Sequence, residues 1–224
     1  MLSDTLTRTI SLAPAVVFSA GFALAMPLLA QSSADVEMSG ISGSPQAPRH
    51  HFRLRNPAAL GSAEAERIYH IASESLRTGY AASGVAEAQV YQSWRRFNTA
   101  PYLSSTHGNH YINNYANETG HVYGRFEEAG KLPVGTVIAK DSFAVTETGG
   151  ILLGPLFVIE KLPAGFNEIT GDWRYKLVQP DGTFFGETEG RGAERVEYCI
   201  ACHWAVEHQD HLYFIPRDYR AASE

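Results

Sequence analysis

The chain has 224 residues, of which 44% are hydrophobic and 19% charged, which excludes a wholly disordered protein and allows one domain with extensions. Its 18 Lys and Arg against 24 Asp and Glu give a formal net charge of -6, which excludes nucleic-acid binding through a broadly basic surface. Only 2 Cys and 3 Met are present, so a disulfide-dense scaffold is excluded as well.

The N-terminal segment has the features of a secretory signal peptide. No charged residue occurs from Thr9 to Ala34, and Arg8 provides a thin positive region before the apolar run. We predict a signal peptide over residues 1–30, with cleavage between residues 25 and 34, and export to the periplasm. An uncleaved membrane anchor is the alternative, because the uncharged run is long enough to span a bilayer.

Residues 31–57 are rich in Ser, Gly and Pro without apolar periodicity, which predicts a flexible linker. A single folded domain is predicted over residues 58–224, beginning where Asn56 and Pro57 could cap and open a helix. An amphipathic helix, interrupted at Gly61 and ending near Gly79, is its first element.

The remaining pattern predicts an α+β domain with an antiparallel sheet and flanking helices. Gly149-Gly150 and Pro180-Asp181-Gly182 separate runs rich in β-branched and aromatic residues, which is typical of hairpin turns. In chain order the predicted elements are a helix or strand over 86–97, a helix over 116–130, paired strands over 136–145 and 151–159, paired strands over 173–178 and 183–185, a helix over 192–207 and a strand over 212–215.

Both cysteines lie in the segment Cys199-Ile-Ala-Cys202-His203, whose spacing matches the attachment site of a c-type haem. In such sites two thiols add to the haem vinyl groups, and the histidine supplies the proximal nitrogen to iron. Haem is attached to c-type cytochromes outside the cytoplasm, in agreement with a signal peptide. We predict one covalently attached haem c on a C-terminal haem-attachment helix, with His203 as the iron ligand.

Three other interpretations of the cysteine pair stay open, and each fits less well. A thioredoxin-like dithiol lacks its βαβ context here, and a zinc site lacks a second Cys or His pair. A disulfide within a four-residue loop would be strained.

The methionines are Met1, Met26 and Met38, all before the folded domain, so a Met sixth ligand is excluded. The iron therefore has either a second His ligand or an open site for small ligands. His107 and His110 are the ligand candidates by residue type, with turn capping or a surface position as the alternative. The other histidines near segment ends are expected to be solvated: His50, His51, His208 and His211.

Further motifs resemble those of the cytochrome P-460 family over residues 88–216. In chain order they are Tyr91-x-x-Trp94, His110-Tyr-x-Asn-Asn-Tyr115, Pro133-Val-Gly-Thr-Val-Ile-Ala-Lys140, a strand at Gly154, Gly171-Asp-Trp173 and the Cys-x-x-Cys-His motif followed by a short strand.

The resemblance implies a sheet-rich homodimer with a five-coordinate haem c. Members of the family that oxidise hydroxylamine pass electrons to an external acceptor such as a small cytochrome, and in them a Lys is covalently linked to the haem. The matching residue here is Lys140. Related cytochromes c'-beta bind nitric oxide without turnover, so a non-catalytic binding or electron-transfer protein is the alternative.

Two residues are predicted to act with the haem. With strand alternation, Lys140 shares a face with Thr136, Ile138, Ser142 and Ala144, whereas Asp141 points to the other face. The alternative for Lys140 is an edge-strand position in water. Glu160, which ends the strand paired with that of Lys140 and matches a carboxylate of the family pattern, is the candidate proton acceptor, with a solvated strand end as its alternative.

Overall fold

The computed structural model describes residues 51–222, and an eight-stranded antiparallel sheet lies at the centre of this part of the chain. The strands are β1 (Arg95–Arg96), β2 (Tyr102–Ser104), β3 (His110–Ala116), β4 (Val137–Val145), β5 (Ile151–Leu153), β6 (Leu156–Lys161), β7 (Trp173–Val178) and β8 (Phe184–Glu187). They are ordered β1-β3-β4-β6-β7-β8, with β2 also paired to β3 and β5 to β4. The predicted α+β class and antiparallel sheet are confirmed.

Three α-helices flank this sheet within the described residues: α1 (Ser62–Ala81), α2 (Ala86–Val90) and α3 (Glu197–Trp204). The predicted first helix is confirmed as α1, which begins after Gly61 rather than at Pro57. Its buried residues recur every three or four positions, which is the stripe that a helix needs to pack on a sheet: Ala65, Ile68, Tyr69, Ala72, Leu76 and Tyr80.

The sheet separates two hydrophobic cores, and adjacent residues of one strand belong to opposite cores. Val137 and Ala139 of β4 pack with α1 in the first core, whereas Ile138 packs in the second core with Trp173 and Cys199. This alternation follows from the pleat of a β-strand. The second core is therefore the one that contains the Cys-x-x-Cys-His helix, α3.

The strand predicted over residues 151–159 is broken in two. Gly154 and Pro155 separate β5, which pairs with the end of β4, from β6, which pairs with its beginning. Proline has no amide hydrogen to donate to a ladder, and the Ser142 hydroxyl instead donates to the Pro155 carbonyl at 2.6 Å. A Cβ atom at Gly154 would lie 2.3 Å from the Ser142 Oγ, so the break requires glycine.

Three other sequence predictions were wrong in detail. Residues Glu118–Glu128 form 3-10 turns instead of an α-helix, with a left-handed φ of 53° at Phe126. The C-terminal helix begins at Glu197, because Gly192 has a φ of 70° that an α-helix cannot contain. Residues 212–215 form no strand in the described part of the chain.

The predicted signal peptide, the anchor alternative and the linker up to residue 50 lie outside the described residues. Between residues 51 and 222, no helix has both the length and the apolar character required to cross a bilayer.

Candidate functional site

A cavity lies between the sheet and α3, with about 540 Å³ of space not filled by protein atoms, including solvent at its open side. Its wall contains four of the five predicted site residues: Cys199, Cys202, His203 and Lys140. Apolar side chains of β4 and β6, including Ile138, Phe157 and Ile159, form part of the remaining wall. The fold thus brings the cysteine motif and the predicted lysine together from positions about 60 residues apart in the chain.

The cysteine motif lies on α3, where positions i, i+3 and i+4 share one side of the helix. Cys199 and His203 are buried and Cys202 is exposed, and both thiols are free. Burial raises the pKa of the Cys199 thiol to about 12. A redox dithiol needs a lowered thiol pKa, so this environment argues against the thioredoxin-like alternative.

The His203 ring is held in one tautomer. Its Nδ1 lies 2.6 Å from the carbonyl oxygen of His211. A carbonyl only accepts hydrogen bonds, so Nδ1 carries the hydrogen and Nε2 keeps its lone pair. Burial, with a further contribution from the charge of Lys140, lowers the pKa of His203 to about 3. The ring is therefore a neutral imidazole whose Nε2 lone pair is free to bind a metal, the state in which histidine binds metals.

The turn that presents the His211 carbonyl is strained and firmly anchored. Asp210 and His211 have left-handed φ values of 56° and 61°, which are unfavourable for residues other than glycine. Lys161 Nζ donates to Asp210 Oδ1 at 2.6 Å and to the Gly171 carbonyl at 2.7 Å. Trp173 Nε1 donates to the Asp210 carbonyl at 2.9 Å. These buried contacts fix the turn, and the expectation that His211 is solvated was wrong.

Lys140 lies on β4 between Asn114 of β3 and Phe157 of β6. Because β4 is paired on both sides, the edge-strand alternative for Lys140 is excluded. Its side chain is 6% exposed, and burial lowers the pKa of its amine to about 8. No hydrogen bond or ion pair joins Nζ to another residue in the described part of the chain, so the amine faces the cavity without a partner.

The next residue, Asp141, points to the opposite face as predicted. Its carboxylate accepts hydrogen bonds from Tyr69 Oη at 2.7 Å, Tyr91 Oη at 3.1 Å and Asn113 Nδ2 at 3.0 Å. Burial nevertheless raises the pKa of Asp141 to about 6. The network ties α1 and the segment after α2 to the centre of the sheet.

The structure does not bring Glu160 to the cavity. Glu160 pairs with Val137, and strand alternation places both on the face opposite Lys140. Its carboxylate accepts a hydrogen bond from Lys176 Nζ at 2.9 Å and lies 3.6 Å from Arg174. This position gives no support to Glu160 as a proton acceptor for a group bound in the cavity.

Of the two histidine candidates, only His107 lines the cavity. His107 is buried, and burial lowers its pKa well below the usual range. His110 Nδ1 instead lies 2.8 Å from the His107 carbonyl oxygen, a contact within the loop before β3. His51 was expected in solvent, but its ring also lines the cavity. Its neighbours are more than 50 residues away in sequence, and no local sequence signal indicates such a contact.

Comparisons with known proteins give no identification. No family model matches the chain, and no curated protein is similar to it at a significant level. The resemblance to the cytochrome P-460 family therefore stays a prediction based on the motifs quoted above.

The donor set itself fits haem better than a bare metal ion. No group of three or more His, Cys, Asp and Glu side chains within residues 51–222 is arranged to hold a metal ion. A haem iron needs only one or two protein ligands, because the macrocycle supplies the others. Two cysteines and a neutral histidine on one side of α3, facing a cavity with apolar walls, meet that requirement.

Proposed function

We propose that the protein is a periplasmic mono-haem c-type cytochrome, in which Cys199 and Cys202 would attach the haem and His203 would bind its iron. The single observation that carries the proposal is the hydrogen bond from His203 Nδ1 to the His211 carbonyl. It leaves Nε2 as an iron donor inside a Cys-x-x-Cys-His helix that lines a cavity. Export remains a requirement of this function, because haem attachment of this kind takes place outside the cytoplasm.

We further propose that the bound haem would take hydroxylamine or nitric oxide as its small ligand, as the resemblance to the cytochrome P-460 family implies. When bound, haem would supply an iron that binds such a ligand and exchanges electrons with an external acceptor such as a small cytochrome. The homodimer implied by the resemblance belongs to the same proposal.

Lys140 supports the family assignment through its environment. A charged amine without a partner is unfavourable in a buried site, so its retention there calls for a chemical role. A pKa of about 8 leaves a sizeable fraction of the amine neutral near that pH, and the neutral amine is the nucleophilic form. A bond from its nitrogen to a macrocycle carbon would replace one N–H and one C–H bond, with release of two protons and with two electrons passing to the external acceptor. We therefore keep Lys140 as the residue for a haem link.

A non-catalytic nitric-oxide-binding protein is the second candidate. The cavity wall contains no Asp or Glu among the residues that the structure describes, and Glu160 lies on the other face of the sheet. Oxidation of hydroxylamine releases protons as well as electrons, whereas reversible binding of nitric oxide needs no carboxylate base. This feature of the wall favours binding without turnover.

Mass spectrometry of the exported full chain tests the haem assignment. We expect one covalent haem adduct in the protein, and none in the Cys199→Ser/Cys202→Ser variant. An exported, folded protein without any covalent haem would remove the proposal.

The absorption spectrum and an assay of hydroxylamine oxidation distinguish the two candidate functions. A ferrous Soret band shifted far to the red, and restored to an ordinary haem c position in Lys140→Ala, supports the covalent link. Steady-state oxidation of hydroxylamine with an artificial acceptor supports the enzyme. No turnover, together with reversible binding of nitric oxide, supports the binding protein.

A further inference from the structure

The cavity contains two histidines besides the haem-motif histidine. His203 packs against Tyr175 with ring centroids 5.0 Å apart. His51 and His107 instead both pack against Phe157, each with ring centroids 4.8 Å apart, and their own rings stack at 5.4 Å with an interplanar angle of 20°. The cavity wall therefore carries one imidazole suited to bind iron and a separate stacked pair.

The segment His51–Arg55, here called the strap, brings His51 into this position. Leu54 N donates to the Gly108 carbonyl at 3.0 Å, and Asn109 Nδ2 donates to the Leu54 carbonyl at 2.8 Å. Arg53 Nη2 donates to the Ser105 carbonyl at 2.7 Å. The strap is therefore tied to the loop that carries His107.

Gly108 makes the close approach of strap and loop possible. Its φ is +79°, and a Cβ atom at this position would lie 2.0 Å from the carbonyl oxygen of Phe52. Only glycine combines this backbone conformation with this contact. The loop before β3 is shaped to receive the strap.

The orientation of the His107 ring is fixed by hydrogen bonds at one of its two nitrogens. Its Nδ1 lies 2.9 Å from Ser104 Oγ and 3.3 Å from Thr106 Oγ1, and both hydroxyls can donate. A hydroxyl can donate or accept, so these contacts allow both tautomers of the neutral ring, and the tautomer in which the hydroxyls donate to Nδ1 places the hydrogen on Nε2. The His107 ring stacks on the His51 ring and packs in an edge contact with Phe157. His51 is itself fixed by a hydrogen bond of 2.8 Å between its Nδ1 and Tyr198 Oη.

We propose that His107 contacts the small nitrogen-oxygen ligand in the cavity directly, by donating a hydrogen bond from Nε2, and that His51 of the strap is its positioning residue. The proposal rests on the proposed haem function and adds to it a residue of this chain that contacts the ligand. Most of the surrounding wall is apolar, and the Lys140 amine that faces the cavity is the group proposed to bond to the haem, so few other hydrogen-bond donors are left for a ligand such as hydroxylamine or nitric oxide. Such a contact strengthens binding and orients the ligand.

The test uses carbon monoxide bound to the reduced, exported full-length protein, after mass spectrometry has shown covalent haem. The variants are His107→Phe, His107→Gln and His51→Phe, with His121→Phe as the control because His121 is exposed on the Glu118–Glu128 turns. The measurements are the carbon-oxygen stretching frequency by infrared spectroscopy and the dissociation rate of nitric oxide.

We expect a higher stretching frequency and about tenfold faster dissociation of nitric oxide in His107→Phe, which corresponds to the loss of one hydrogen bond. His107→Gln, which keeps an N–H donor, should restore most of the difference, and His51→Phe should broaden the infrared band because the His107 ring is less well fixed. His121→Phe should match the wild type.

Unchanged frequency and dissociation in a folded, haem-loaded His107→Phe would overturn the proposal while leaving the haem function intact. A lower frequency in that variant would also overturn it, because Nε2 would then face the ligand as an acceptor. A low-spin six-coordinate resting spectrum that is lost in His107→Phe would overturn it as well, since His107 would then be an iron ligand. Absence of covalent haem would instead refute the function on which the proposal rests.

Discussion

The Nδ1 atom of His203 lies 2.6 Å from the carbonyl oxygen of His211. This carbonyl belongs to a turn in which Asp210 and His211 both have a left-handed backbone conformation. The contact fixes the tautomer and the orientation of the ring that is proposed to bind iron. It depends on Lys161 and Asp210, a buried ion pair that holds the turn in its unfavourable conformation.

Replacing Asp210 by Asn should therefore disturb both stability and the His203 ring. The substitution leaves the Lys161 charge buried without its counter-ion, and we expect a loss of about 3–5 kcal/mol in the free energy of unfolding. The stretching frequency of the bond between iron and His203 should shift as well, measured by resonance Raman spectroscopy of the reduced protein. Glu127→Gln is the matched control, because the Glu127 side chain is 52% exposed in its ion pair with Arg220 and should contribute less than about 1 kcal/mol. Equal losses in the two variants would contradict the role of the buried pair.

Lys140 should make stability depend on pH when no haem is attached. Its pKa is about 8 in the folded protein against 10.5 for an ordinary lysine. Between these values the unfolded chain holds a proton on this lysine that the folded chain has released, so the contribution of Lys140 to the free energy of unfolding rises with pH across the window from 8 to 10.5 and is lowest below it.

The expected rise from Lys140 is roughly 3 kcal/mol, measured by urea unfolding at several pH values as the difference between the Cys199→Ser/Cys202→Ser variant and the same variant with Lys140→Met added. The comparison is needed because buried tyrosines with raised pKa values, such as Tyr123, contribute to the pH dependence of both variants. An equal pH dependence in the two variants would show that Lys140 makes no such contribution.

The Asp141 network should be a major source of stability without affecting the cavity. Asp141→Ala leaves the hydroxyls of Tyr69 and Tyr91 and the amide of Asn113 without their acceptor in a buried site. We expect a loss of about 3 kcal/mol or more in the free energy of unfolding. Binding of nitric oxide by the folded fraction should stay within about twofold of the wild type, because the network lies on the other face of the sheet. A large loss of affinity in folded Asp141→Ala would show coupling through β4.

Glu160→Gln should leave the reaction of the cavity nearly unchanged. The carboxylate is on the face opposite Lys140, and Lys176 keeps Glu87 as a second ion-pair partner at 2.6 Å. We expect less than about a twofold change in kcat/KM for hydroxylamine, or in nitric oxide affinity if there is no turnover. A loss of tenfold or more in either quantity would show that Glu160 takes part in the reaction or in ligand binding.

The sequence determined the features that depend on local order. The Cys-x-x-Cys-His spacing places its three side chains on one side of α3, and the alternation of β4 sends Lys140 and Asp141 to opposite faces. Both follow from the repeat of a single element, so no tertiary information is needed. The turn at Pro180-Asp181-Gly182 between β7 and β8 was predictable for the same reason.

The register of strand pairing decided on which face of the sheet Glu160 lies, and the sequence did not predict that register. The sequence correctly indicated that its strand pairs with that of Lys140, but the register sets Phe157, not Glu160, opposite Lys140. A shift of one residue would have moved Glu160 to the cavity face, and nothing local specifies that register. The Gly154-Pro155 break, which separates β5 from β6, contacts Ser142 on the neighbouring strand, and the local sequence does not predict this contact.

Long-range packing decided the rest of the candidate site. His51 approaches His107 only because the strap is hydrogen-bonded to the loop before β3, and the His211 carbonyl meets His203 only because Lys161 and Trp173 hold the turn between them. These contacts join residues far apart in sequence, where residue type carries no information on proximity. The sequence therefore determined which residues are proposed to hold a haem, and the tertiary structure decided which other residues line the cavity beside them.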